Sequence, residues 1–248
     1  LFALLSILTV VSSLNAQSYK EVAMEVDRLI AEEVGQSQIE LCDDETFIRR
    51  AYLDVVGQLP SLDDILVFGL EDHPEKRRFL LEFVLADQDY GINWANYWRD
   101  VITYRRTNDQ SQLGVVAFQQ YLVDVLNENR PWNEIARDLI TATGDIRQDG
   151  KTGLIAAQQG RPEETVSEIS RIFMGIQIQC AQCHDHPTDQ WTRQQFHELA
   201  AFFPRVAMRP QMEPRTFLVY AIDRTPRIRR QNNNNRFIGT LEHKMPNL

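Results

Sequence analysis

Two of the chain's three cysteines and two of its five histidines lie within seven positions of one stretch, QIQCAQCHDHPTDQW (residues 177–191). The centre of this stretch is a C-x-x-C-H sequence formed by Cys180, Cys183 and His184. Covalent haem attachment uses this pattern, because the two thiols add to the porphyrin vinyl groups and the adjacent imidazole binds the iron. We therefore predict that Cys180 and Cys183 anchor a haem c and that His184 is the proximal iron ligand.

The same side chains allow two other kinds of site. Two thiolates and one or two imidazoles are ligands that Zn²⁺ prefers, although structural zinc sites usually take a second ligand pair from a distant segment. A C-x-x-C pair can also form a disulfide or take part in thiol redox chemistry. A thioredoxin-like redox protein would need alternating strands and helices, which this sequence lacks. Haem is the preferred interpretation, and the zinc and disulfide interpretations remain open.

Four further side chains are candidates for a second iron ligand or a second metal site: His186, His197, Met208 and Met212. On a helix, His184 and His186 would point about 200° apart, so they cannot bind one iron from both faces. We expect His186 to stabilise the turn, to bind a haem propionate or to meet a second metal. His197 could reach the iron after one chain reversal. No carboxylate pair, nucleophile motif or phosphate-binding loop is found elsewhere.

The charge balance excludes one class of partner. Acidic residues outnumber basic ones by 35 to 26, and the net charge of −9 would repel a nucleic acid backbone. Residues 205–236 are the exception, because they carry eight arginines against Glu213 and Asp223. This segment is expected to be a solvated loop, or else a docking surface for an acidic partner or for haem propionates.

The first sixteen residues, LFALLSILTVVSSLNA, carry no charge and end in small and polar residues. This composition predicts a secretory signal peptide at residues 1–16, with Gln17 as the first mature residue. Neither an initiator Met nor a basic region precedes the apolar run, so we expect this segment to be truncated at its start. The protein is expected to be exported to the periplasm or cell surface, and to meet a membrane only if this segment stays uncleaved.

Apolar residues recur at helical spacing along most of the chain, which predicts a mainly α, multi-helix domain over residues 17–206. Ser61 and Asp64 predict a capping box, and Pro74 is expected in the first turn of the next helix. Another helix is expected to start at Pro131 and to end at Gly144. The stretch PEETVSEISRIFMGIQIQ predicts a long helix that runs directly into the cysteine pair. Residues 207–248 are expected to be an irregular, partly β extension toward a missing downstream domain, with TFLVYAI as its strand.

Four stretches together carry a family resemblance: FIRRAYLDVVGQLPSLDDI, WANYWRD, NENRPWNEIARDLI and FMGIQIQCAQCHDHPTDQWTRQQFHELAAFF. Over residues 18–206 the chain resembles the planctomycete cytochrome-like domain of unknown function. The resemblance implies a C-x-x-C-H-x-H segment in a large exported protein, commonly between a cytochrome c domain and a second uncharacterised domain. The chain departs from this family at Pro187–Thr188, where an aromatic or Lys-Phe segment is frequent, and at His197, where an aromatic residue is usual.

Two functional hypotheses follow from these patterns. The first is an exported c-type cytochrome-like module that passes single electrons to a redox partner domain or a periplasmic electron carrier. The second is a zinc- or disulfide-stabilised binding or scaffold domain of a larger surface protein, such as one that handles polysaccharides. Either hypothesis describes an electron-transfer or accessory domain rather than a complete enzyme.

Overall fold

A computed structural model describes residues 19–35, 41–103 and 108–222. Contacts between residues divide the chain into two units, Leu1–Thr46 and Phe47–Leu248. The predicted signal peptide and the arginines beyond residue 222 lie outside the described residues. Within the described ranges, every helix is too short or too polar to cross a membrane.

The described residues are mainly helical, as predicted. Ten α-helices follow one another along these residues: α1 (Tyr19–Glu33), α2 (Asp44–Val55), α3 (Leu62–Leu70), α4 (Lys76–Leu85), α5 (Gln88–Thr103), α6 (Asp109–Asn127), α7 (Trp132–Thr141), α8 (Gly153–Ala157), α9 (Pro162–Ile169) and α10 (Arg193–Ala200). Their apolar faces account for most of the core, since the buried hydrophobic residues fall largely within these helices.

The helix boundaries confirm some local predictions and correct others. Ser61 caps α3 in a reciprocal capping box with Asp64. Pro74, however, precedes α4 by two residues, because residues 73–76 form a separate turn closed by a hydrogen bond from Lys76 N to His73 O. Pro131 is the N-cap of α7. The predicted helix end at Gly144 is wrong, because α7 ends at Thr141 and the chain then enters a strand.

A small antiparallel sheet packs at the C-terminal end of the described chain. Its strands are β1 (Gly144–Asp145), β2 (Val206–Met212) and β3 (Arg215–Ala221), arranged in the order β1-β3-β2. Strand β3 is the predicted TFLVYAI strand, whereas β1 and β2 were not predicted. Val219 of β3 is 2% exposed and packs with Ile146 and Ile155, which joins the sheet to the core.

The central core lies among α5 to α9 and is rich in aromatic residues. Trp98 of α5 packs against Trp132 of α7 with ring centroids 4.3 Å apart, and Trp132 packs against Phe173 at 6.0 Å. Trp98, one of the aromatic residues on α5, therefore contributes to the core.

The helix before the cysteine pair ends earlier than predicted. Helix α9 continues as a wider π-helical segment, Ser170–Met174, which Gly175 terminates in the left-handed conformation with φ +68°. The N–H of Ile176 then donates to Ser170 O at 3.1 Å and closes the helix end. The prediction that this helix runs directly into the cysteines is therefore wrong, because a left-handed glycine and three non-helical residues separate them.

Candidate functional site

The two cysteines belong to a short helical turn of their own. Residues Gln179–Gln182 form a 3-10 helix, and the N–H of Cys183 donates to Cys180 O at 3.4 Å. In a 3-10 helix the side chains three residues apart eclipse one another, so both thiols lie on the same side of the turn. Cys180 and Cys183 are free and exposed. We call residues 179–185 the cysteine turn.

The cysteine turn is fixed to the fold by its apolar residues. Ile178, immediately before the turn, is 4% exposed, and Ala181, between the two cysteines, is fully buried. They pack with Val166 of α9 and with Phe196 and Ala200 of α10. Ala181, the first x residue of C-x-x-C, therefore packs against the core, while both cysteines are exposed.

His184 follows the cysteine pair and is exposed. Its Nδ1 lies 2.7 Å from Asp185 O. Because a carbonyl oxygen only accepts hydrogen bonds, Nδ1 carries the proton, and in the neutral ring Nε2 keeps its lone pair. Histidine metal ligands commonly have this arrangement, with one ring nitrogen donating to a carbonyl and the other free to bind the metal.

His186 has a different environment. Its backbone N–H donates to Trp191 O at 2.8 Å and closes the loop that follows the cysteine turn. Its ring Nδ1 accepts a hydrogen bond from the N–H of Thr188 at 3.4 Å, so the neutral ring carries its proton on Nε2. His184 lies in a bend and His186 in the irregular loop that follows it, rather than on a helix, so the helical angle between them does not apply. The loop contacts agree with the expectation that His186 stabilises the turn.

His197 lies on α10 and reaches back to the cysteine turn. Its Nε2 is 3.2 Å from Gln182 O, and its ring meets Phe196 edge-on at 5.4 Å. The carbonyl accepts this bond, so Nε2 carries a proton and is directed at the peptide rather than at a metal. The chain reversal predicted for His197 is present, and its observed partner is a backbone carbonyl.

The two methionine candidates lie on strand β2. Met208 pairs with Val219 and belongs to the apolar cluster between the sheet and α8, where it contacts Gly160. Met212 ends β2 and is 79% exposed. That cluster contains none of the site cysteines or histidines.

Donor chemistry at the cysteine turn fits covalent haem attachment: two accessible thiols on one side of a turn and an imidazole with an unprotonated Nε2. Across the described ranges, no group of three or more His, Cys, Asp and Glu side chains is arranged to hold a metal ion. A small cavity between α6 and α8, lined by residues such as Ser111, Phe118 and Gly153, includes no residue of the cysteine turn. The residues that could hold a cofactor are therefore Cys180, Cys183 and His184.

Several site residues were missed by sequence reasoning. Asp185 Oδ1 accepts a hydrogen bond from the N–H of Arg193 at 2.8 Å, which ties the turn to the start of α10. Thr192 caps that helix in a capping box with Gln195. The spacing of Thr192 and Gln195 is a readable helix-start signal, whereas the contact made by Asp185 depends on the loop conformation.

Only the first part of the arginine-rich segment lies within the described residues. Arg205, Arg209 and Arg215 are exposed there, and Arg209 stacks over Tyr220 at 5.5 Å. The region around β2 and β3 is thus a short hairpin with arginines on its surface rather than a wholly irregular loop.

Comparisons with curated proteins and with solved structures find no match for this chain. A comparison with family models finds one whose description is a protein of unknown function (DUF1549), PSCyt2, and it matches residues 25–208. The matched range includes the cysteine turn, both helices that hold it and all three histidines of the site. Because the match covers well over half of the chain, the protein belongs to the PSCyt2 family of proteins of unknown function (DUF1549).

Proposed function

We propose that the protein is an exported c-type cytochrome-like module that transfers single electrons through a haem bound at the cysteine turn. The observation that supports this most directly is the 2.7 Å contact of His184 Nδ1 with Asp185 O, which leaves Nε2 available beside two exposed thiols. Haem supplies four iron ligands from its own ring, so the protein needs to contribute few donors. A tetrahedral zinc site would need four from protein side chains.

Three residues of the turn would take part in attachment. The S–H of Cys180 and the S–H of Cys183 would each add across one vinyl group, so that the sulfur and the hydrogen would bond to the two vinyl carbons. No electrons are gained or lost in this addition. His184 Nε2 would bind the iron, while the hydrogen bond from Nδ1 to Asp185 O holds the ring in place. A bound haem would supply the one-electron couple of its iron.

The partner in this proposal is another redox domain or an exported electron carrier. Arg205, Arg209 and Arg215 are exposed on and around the C-terminal hairpin of an otherwise acidic chain. Exposed arginines favour association with an acidic surface, mainly by increasing the rate of encounter. The partner is therefore proposed to carry acidic residues around its own redox centre.

The proposal is tested by expression with the haem-attachment machinery and a signal peptide for export. The wild-type protein should show a Soret band and sharp reduced α and β bands that survive acid-acetone extraction. The double variant Cys180→Ser/Cys183→Ser should lose its haem during extraction. Cys42→Ser is the matched control, because it removes the remaining cysteine outside the turn and should leave covalent haem unchanged.

A colourless wild-type protein would contradict the haem proposal. Elemental analysis then distinguishes the alternatives: about one zinc per chain would favour the zinc-stabilised binding or scaffold domain. A colourless protein without metal, in which Cys180 and Cys183 are oxidised to each other, would favour the disulfide-stabilised form of that domain.

A further inference from the structure

Helix α10 holds the cysteine turn at two points. The N–H of Arg193, the first residue of α10, donates to Asp185 Oδ1 at 2.8 Å. His197 Nε2–H donates to Gln182 O at 3.2 Å. Residues four apart lie on the same face of a helix, about one turn from each other. The N-terminal end of α10 therefore makes the first contact through a backbone N–H, and a side chain about one turn later makes the second.

The two contacts lie on either side of Cys183 and His184, two of the three residues that the proposed attachment uses. Cys183 and His184 are the only residues between Gln182 and Asp185. The carbonyl that His197 binds belongs to the peptide group that joins Gln182 to Cys183, so the bond restricts rotation of that peptide. The position of the second thiol relative to the first depends on this peptide.

Helix α10 is itself held firmly enough to act as a support. Phe196 is 1% exposed and packs with Val166 of α9 and with Ala181 inside the turn. The capping box of Thr192 and Gln195 fixes the first turn of the helix. His197 lies beside Phe196 with its ring half-buried, so its direction is set by packing as well as by its hydrogen bond.

We propose that His197 and Asp185 are positioning residues, which clamp the cysteine turn to α10 and keep the Cys183 thiol in register with the Cys180 thiol. The purpose of this register, presenting two sulfurs to one porphyrin, rests on the proposed function. The register itself is a property of the protein without haem and can be measured there. On this assignment His197 is a support of the turn and not an iron ligand.

The test compares a reagent that must bridge both thiols with a reagent that reacts with one. Phenylarsine oxide binds two thiols at once, whereas iodoacetamide alkylates them singly. All variants carry Cys42→Ser, so that only Cys180 and Cys183 react. His197→Leu removes the donor, His197→Gln retains an N–H donor, and His73→Leu is the control because His73 is an exposed histidine far from the turn in sequence.

We expect His197→Leu to weaken phenylarsine oxide binding by about fivefold, which corresponds to the loss of one ordinary hydrogen bond. His197→Gln should restore at least half of this loss on a logarithmic scale, and His73→Leu should bind as the parent does. Alkylation by iodoacetamide should stay within about twofold in every variant, because the exposure of each thiol does not depend on the clamp.

Variants of Asp185 test the same proposal if the His197→Leu variant does not fold. Asp185→Ala removes the acceptor for the Arg193 N–H and should also weaken arsenical binding, whereas Asp185→Asn keeps an acceptor oxygen and should weaken it less. The proposal is overturned if arsenical binding is unchanged in His197→Leu or Asp185→Ala. It is also overturned if His197→Gln fails to restore binding, or if alkylation changes as much as arsenical binding does.

These outcomes are separate from those of the haem experiment. A wild-type protein that attaches no haem, but whose arsenical binding depends on His197 as described, would overturn the proposed function and leave the clamp in place. Covalent haem in the wild-type protein, together with arsenical binding by the apo protein that does not depend on His197, would support the proposed function and overturn the clamp.

Discussion

The three histidines of the site differ in which ring nitrogen carries the proton. His184 donates from Nδ1 to a carbonyl, His197 donates from Nε2 to a carbonyl, and His186 accepts at Nδ1 from a backbone N–H. In their neutral forms only His184 therefore has an unprotonated Nε2. This difference separates one candidate ligand from two structural residues without reference to any bound group.

Nuclear magnetic resonance of the apo protein tests this assignment. Long-range ¹H–¹⁵N spectra of the neutral imidazoles should show His184 as the Nδ1–H tautomer. His186 and His197 should appear as Nε2–H tautomers. His73→Gln, His184→Gln, His186→Gln and His197→Gln variants assign the signals. An Nε2–H tautomer at His184 would contradict the proposed ligand geometry.

Asp138 forms a second polar cluster, away from the cysteine turn in sequence. Its Oδ2 accepts hydrogen bonds from Tyr121 Oη at 3.1 Å and from Arg130 Nη1 at 3.0 Å, and Lys151 Nζ is 3.5 Å away. Partial burial acts to raise the pKa of Asp138, but the bonds from Arg130 and Tyr121 outweigh it and lower the pKa. The charged carboxylate therefore stabilises the folded state.

Because the folded-state pKa of Asp138 lies below its unfolded value, its contribution is present at neutral pH and is lost as the pH falls through the folded-state pKa. We expect Asp138→Asn to lower the free energy of unfolding by about 1 kcal/mol at pH 7. The difference from wild type should shrink below about pH 4. Urea denaturation from pH 7 to pH 3 measures it, and the exposed Asp124→Asn is the control. Equal pH profiles for the two variants would exclude this role.

At the scale of elements, helices α3 and α10 both begin with a capping box. Ser61 and Asp64 form the capping box of α3, and Thr192 and Gln195 form that of α10. The first is remote in sequence from the cysteine turn, whereas the second starts the helix that contacts it. Variants of the two capping boxes therefore distinguish a loss of stability from a change in the geometry of the cysteine turn.

We expect Ser61→Ala and Thr192→Ala each to lower the free energy of unfolding by about 1 kcal/mol, since each removes an N-cap side chain. Thermal or urea unfolding measures this loss. Only Thr192→Ala should also weaken phenylarsine oxide binding to the two thiols, because only α10 supports the cysteine turn. If Ser61→Ala weakened arsenical binding to the same degree, general destabilisation would account for both effects.

The elements that the sequence predicted are those with local causes. The capping box of α3 depends on two side chains three residues apart, and the pattern is visible in the sequence. The end of α9 was missed because the apolar pattern continues through Gly175, and one glycine inside a helical pattern does not by itself specify a left-handed residue. Strand β2, VAMRPQM, contains a proline and becomes a strand through its pairing with β3.

The features of the candidate site also divide into those that the sequence predicts and those that depend on the fold. The spacing predicted the three candidate donor residues, and all three are exposed. The contact of His197 with Gln182 joins residues fifteen apart across a chain reversal, so it required the packing of α10 on the turn. The tautomer of His184 depends on a carbonyl direction that residue types do not encode.

At the scale of the whole molecule, the small sheet links distant parts of the chain. Strand β1 at residues 144–145 pairs with residues 218–219 of β3. Val219 and Thr216 of β3 are buried, and Val219 covers Ile146 and Ile155. The hairpin is therefore part of the fold, although the sequence suggested an extension that starts at residue 207.

We expect a chain of residues 17–206 to unfold at a lower temperature than one of residues 17–222 and to be cleaved faster by protease, because removal of β3 exposes Ile146 and Ile155. Circular dichroism and limited proteolysis of the two chains measure this. Equal stability of the shorter chain would show that the hairpin contributes nothing to the core.

The pairing of β1 with β3 also affects the order in which parts of the chain fold during synthesis. A chain is synthesised from its N-terminus, and segments fold as they emerge. Helix α9, the cysteine turn and α10 are complete once residue 200 has emerged, whereas the sheet cannot close until residue 221 follows. For that interval the nascent chain already has its helices, both thiols and their local support while the sheet is still incomplete. The two thiols are therefore in place before the fold is closed.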